Sequence, residues 1–178
     1  MGWQMDSKGT RYNYQSDGML HDPINPSVIY SNGVEVYFLN NKCHRDNDLP
    51  TQLGPITIGG VRYEAWMQNG EYHRLEGPAL KQPDGTEIYQ QYGKRHRLDG
   101  PAYIGGLTHN EKHHKEWWVE GKLHRLDGPA TEIYGKSAWW VDGKQFKTFD
   151  LFLKHITKNK LVETKTLMFL KLKYSGVS

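Results

Sequence analysis

A single cysteine, Cys43, stands in the chain, so no intrachain disulfide can form and the sequence fits a reducing compartment. No apolar run approaches the length of a membrane-spanning helix. The N-terminus, Met-Gly-Trp-Gln-Met-Asp, lacks the basic and apolar pattern of a secretion signal. The expectation is a soluble, cytoplasmic protein without membrane association. A strong charge of one sign is also missing, since the formal net charge is only +3, with nine His uncounted. That falls short of the basic balance of most nucleic-acid-binding domains. Aliphatic residues are scarce as well, with hydrophobic residues making up only 37% of 178 positions.

What is present is aromatic and turn-forming: six Trp, eleven Tyr, five Phe, 19 Gly and 8 Pro. A disordered chain would be poor in aromatics, so this composition points to many short ordered elements joined by turns. A repeat organises them. His73-Arg74-Leu75-Glu76-Gly77-Pro78-Ala79, His96-Arg97-Leu98-Asp99-Gly100-Pro101-Ala102 and His124-Arg125-Leu126-Asp127-Gly128-Pro129-Ala130 match at nearly every position. Weaker copies begin at His21, with Pro26 at the same offset, and at His44-Arg45, whose Gly-Pro-Ala counterpart reads as Gly54-Pro55-Ile56. A degenerate start lies at Phe146. The unit is about 23 residues long. Two longer units carry extra residues, which the alignment places at Arg45 to Leu53 and at Gly105 to Lys115.

Turn dipeptides such as Asn69-Gly70 and Asp142-Gly143 stand three residues before each His-equivalent. Between turns run alternating segments such as Val61-Arg62-Tyr63-Glu64-Ala65-Trp66. Period-two patterning between Gly turns predicts strands. Each unit is then a hairpin that needs its neighbours to bury a face. The aromatics after each Pro (Tyr37, Trp66, Tyr89, Trp117 and Trp140) are expected to form a core ladder. After Phe146 the pattern becomes helical: Thr148 is the expected N-cap of a helix ending at Asn159. Residues 161–174 read as helix or strand, with helix favoured. The expected fold is mainly β, a single twisted antiparallel meander of five to six hairpins over residues 1–146, with a small helical C-terminal cap over 147–178.

The unit Asn/Asp-Gly-Lys-x-His-Arg-x-Asp-Gly-Pro-Ala, followed by an aromatic, resembles the MORN-like repeats of phage, giant-virus and bacterial proteins, over about residues 17–146. That resemblance implies one sheet of consecutive hairpins and supplies no catalytic residues. If the chain is phage-encoded, as the resemblance implies, inhibition of a bacterial host or defence protein is the corresponding expectation.

Repeated His beside Arg and Asp invites a metal or acid–base reading, but geometry opposes it. Equivalent residues two strands apart lie roughly 9.6 Å from one another. Imidazole nitrogens must approach a shared ion to about 2.0–2.1 Å. No metal, cofactor or catalytic residue is therefore assigned. A turn and packing role is favoured for the motif, with His stacking on or bonding beside the next aromatic and Arg pairing with the acid two residues on. The residues singled out for binding are Trp66, His96, Arg97, His113, His114, Trp117, Trp118, His124, Arg125, Trp139 and Trp140. Adjacent strand residues face opposite sides, so each Trp pair can place one ring in the core and the other on a free face or beneath the C-terminal helices. His113 and His114, with His109, read as part of a polar loop. From Lys147 to Ser178 seven Lys face two acids, fitting a solvated face or an acidic partner. The first functional expectation is a non-enzymatic protein-binding module. The alternative is a nucleotide or nucleic-acid binder using exposed Trp, His and Arg.

Overall fold

The structure, a computed structural model, describes residues 2–22, 24–55, 60–105 and 114–175. It is mainly β: an antiparallel meander of thirteen short strands followed by two helices. This is the architecture the repeat predicts. The chain divides into two compact units, Met1–Lys94 and Arg95–Ser178.

In the first unit, Gly2–Met5 and Arg11–Tyr14 pair, and each later strand pairs with the next: Val28–Ile29, Glu35–Val36, Gln52–Leu53, Glu64–Ala65, Leu80–Lys81 and Glu87–Ile88. The strands are short because an aromatic interrupts each hairpin. After Tyr37 and Trp66 the chain leaves this ladder and forms a second one, Phe38–Leu39 with Lys42–Cys43 and Met67–Gln68 with Glu71–Tyr72. Two-residue turns close these tips with both residues at positive φ, as at Asn69 (53°) and Gly70 (90°). Such mirror-image turns match the twist of paired strands, which explains the Asn-Gly and Asp-Gly dipeptides. Tyr37 and Trp66 are buried, whereas Tyr89, Trp117 and Trp140 are half-buried, so the aromatic ladder is only partly core.

The structure corrects the alignment of the second repeat. Arg45 Nη1 donates to the Pro50 carbonyl, as Arg74, Arg97 and Arg125 do to Pro78, Pro101 and Pro129. Thr51, fully buried, accepts the Tyr37 amide, as Ala79 accepts that of Trp66. Pro50-Thr51 is therefore the Pro-Ala counterpart, not Pro55-Ile56, and only one of the six extra residues lies within 45–53, between Arg45 and Pro50. The other five fall within residues 54–63, between Gln52–Leu53 and Glu64–Ala65, just as residues 105–114 separate Tyr103–Ile104 from Lys115–Glu116. Residues 30–34 and 82–86 fill the same turn in the shorter units. Both insertions thus fall in the same strand-to-strand connection, and the flanking strands still pair, Gln52 with Ala65 and Tyr103 with Glu116. Ile56 and Gly59 of the first, and His109 and His113 of the second, lie outside the described residues.

In the second unit, Tyr103–Ile104, Lys115–Glu116, Thr131–Ile133, Lys136–Val141 and Lys144–Phe146 pair in order. Trp118–Val119 and Lys122–Leu123 form a tip ladder. Helix α1, Phe149–Lys158, starts at Thr148, whose hydroxyl accepts the Leu151 amide, and ends at Asn159, as expected. Helix α2, Thr164–Tyr174, settles the ambiguous tail as helix. Phe149, Phe152, Ile156 and Leu170 join Trp139, Val141 and Phe146 in one buried cluster.

Candidate binding surface

The repeated Arg is placed by three contacts. Arg45, Arg74 and Arg125 lie 3.7, 3.8 and 3.8 Å from the ring centres of Tyr37, Trp66 and Trp117, each eight residues earlier. The Pro carbonyl four residues on fixes the guanidinium in plane, or five residues on at Arg45. The motif acid pairs at Nε: Arg97 with Asp99 and Arg125 with Asp127, both at 2.8 Å. The bonded Arg97 guanidinium holds the Asp99 carboxyl below its ordinary range. On the other side of the plane lies the motif glycine. A Cβ at Gly128 would sit 2.8 Å from Arg125 Cζ, so any side chain there would have to displace the guanidinium. Arg74 differs, taking Asp48 at 2.7 Å in place of Glu76.

The repeated His bonds the following tip turn at each copy, and at His73 it also packs on an aromatic there, Tyr92, as expected. His21, His44, His73, His96 and His124 place Nδ1 3.1–3.3 Å from the backbone N–H of Asn40, Asn69, Tyr92, Glu120 and Asp142. Each donor is the first left-handed residue of the following tip turn. Left-handed φ is costly for Tyr and Glu, so the imidazole braces the turn at its most strained residue. His44 Nε2 also meets Asp46 at 3.0 Å, consistent with the tautomer that leaves Nδ1 free to accept. At His124, Nδ1 also lies 2.8 Å from the Asp142 carboxylate.

A further cluster gathers on Glu116, whose half-buried carboxylate meets His114 Nε2 at 2.7 Å, Arg95 Nη1 at 2.7 Å and Trp118 Nε1 at 2.8 Å. His114 also packs on Tyr103, at 4.6 Å between ring centres. This network fixes the second insertion where it rejoins the sheet, and it occupies His114 and Trp118. Trp139 is buried beneath the helices, 4.9 Å from Phe149, 4.7 Å from Phe152 and 4.9 Å from Tyr174. Trp140 is half-buried, and its Nε1 has no hydrogen-bond partner among the described residues. Of the residues singled out for binding, none with a described position is classed as exposed. The structure brings together His114 and Trp118, and separately Arg125 and Trp117. His113 is outside the described residues.

Exposed apolar side chains lie elsewhere. On α2, Leu170 is fully buried and Leu167 and Tyr174 pack on the same cluster, yet Met168, Phe169 and Leu172 are 61%, 50% and 85% exposed. Residue-by-residue patterning missed this face because the apolar residues of α2 are spread over two faces rather than gathered on one. The signal was the lack of polar residues at 167–170. Among the described residues no three His, Cys, Asp or Glu side chains converge on a metal position, and no helix is long and apolar enough to cross a membrane. No protein-family model matches the chain, and no match is found among curated proteins.

Proposed function

We infer that the chain is a non-enzymatic protein-binding module, a MORN-like repeat array whose outer α2 face makes the contact. The observation that carries this reading is the trio Met168, Phe169 and Leu172. A helix with one face packed on the protein's core ordinarily turns polar residues to water. Here the second face is apolar too, with Lys165, Lys171 and Lys173 on the same helix. A clustered apolar surface of this kind marks an interaction site. The matching partner surface is an apolar groove with an acidic rim. If the chain is phage-encoded, that groove belongs to a host or defence protein that the module inhibits.

The motif His and Arg support this location by exclusion, because their polar atoms are engaged within the array. The test is affinity capture from bacterial lysate with wild type, Met168→Asp/Leu172→Asp, and Leu98→Asp as an equally exposed control. The captured protein is then purified and titrated against all three. Binding that the α2 variant loses and the Leu98 variant keeps is the expected result. Equal binding by all three would overturn it, as would salt-sensitive binding of an oligonucleotide in place of a protein.

A further inference from the structure

A cavity of about 890 Å³ opens between the last hairpin, the start of α1 and the end of α2, and none of the apolar α2 trio lines it, although Lys173 Nζ also lies 5.5 Å from the Phe169 ring centre. We propose that it binds a small organic anion with a flat or elongated apolar body. The volume lies within the range of about 300–1,000 Å³ usual for small-ligand sites. One wall is aromatic: Trp139, Phe149 and Tyr174 line it, and their rings pack on one another, so the wall is preorganised. Lys147 and Lys173 also line it, and neither is ion-paired among the described residues.

Lys173 Nζ lies 5.1 Å from the Tyr174 ring centre, which holds the cation beside the apolar wall. Thr148 adds a hydroxyl donor: its oxygen already accepts the Leu151 amide, so its proton is available to a ligand. Asp150 is the one acid in the lining. Two ammonium groups against one carboxylate leave a single excess positive charge, which favours an anionic head group with the body against the aromatic wall. Nucleotides and acyl carboxylates share this chemistry.

The test is calorimetric titration of the full chain with naphthalene-1-sulfonate, followed by displacement with AMP and with decanoate. Saturable one-to-one binding is expected, weakened by about tenfold, about 1.4 kcal/mol at 25 °C, in Lys147→Glu and in Lys173→Glu. Affinity also falls as salt is raised, as expected of exposed charges. Lys154→Glu, on α1 but outside the lining, keeps wild-type affinity. Displacement by AMP assigns the cavity to nucleotides, and displacement by decanoate assigns it to acyl anions. No saturable binding of any probe overturns the proposal, as does full affinity in both lysine variants. Met168→Asp/Leu172→Asp binds the probe as wild type, which separates this site from the protein-binding face.

Discussion

His73 accepts the backbone N–H of Tyr92 at Nδ1, at 3.1 Å, while its ring packs on the Tyr92 side chain with ring centres 4.3 Å apart. One side chain thus holds both the amide and the ring of a residue at φ 50°, although Tyr92 is itself 68% exposed. The same contact recurs at His21, His44, His96 and His124, although at His124 the nearer Asp142 carboxylate, at 2.8 Å, calls for a proton on Nδ1.

His73→Ala is therefore expected to cost about 1–3 kcal/mol, the range for leaving a polar group without its partner. Replacing Tyr92 with Asn, which tolerates the left-handed region, should recover part of that loss. Urea unfolding of the two single variants and the double variant measures the coupling. Strict additivity would show that the imidazole does not brace the turn.

Gly128→Ala should displace the Arg125 guanidinium from Trp117 and lower stability by about 1–3 kcal/mol, as overpacking does. In an Arg125→Ala background the same change should have a much smaller effect. Arg125→Lys should not restore stability, because a point charge cannot lie flat between glycine and indole. Equilibrium unfolding followed by Trp fluorescence reads all three.

Much of this was legible in the sequence, and the exceptions have physical reasons. The hairpins followed from turn dipeptides and alternation, and α1 from Thr148 and its apolar spacing. The Arg platform was missed, yet its signal was present. Tyr37 to Arg45, Trp66 to Arg74, Tyr89 to Arg97 and Trp117 to Arg125 are all eight apart, whether or not the unit carries an insertion. The two faces of α2 could not be told apart, because apolar residues at 167–170 point both ways and only packing separates Leu170 from Met168.

That separation predicts unequal effects of similar truncations. Leu170→Ala should cost about 2–5 kcal/mol, as for a fully buried leucine. Leu172→Ala should stay within about 0.5 kcal/mol. Thermal and urea unfolding of each variant decides it, and comparable losses would mean that α2 sits in a different rotation.

Acid should weaken the first unit through Asp22. Burial pushes its carboxyl up, but the amides of Asn25 and Ile24, bonded to Oδ1 at 2.8 and 2.9 Å, outweigh this and hold it below its usual range. A carboxyl lowered by folding stabilises fully above its unfolded value, about 3.9, and that contribution disappears as pH falls through the folded value. Asp22→Asn cannot ionise, so its melting temperature should fall less steeply than that of wild type between about pH 5 and about pH 2. Parallel pH profiles would assign the acid sensitivity to other groups.

The imidazole brace also bears on how such a chain can lengthen. The units that begin at His44, His73 and His124 carry an arginine platform, and each repeated His reaches the tip turn of the unit that follows, so a duplicate of such a unit arrives already equipped to join both neighbours. Most extra residues collect in the one connection that neither joint uses. Gene duplication can therefore change the number of units and the size of their loops without any new interface having to evolve.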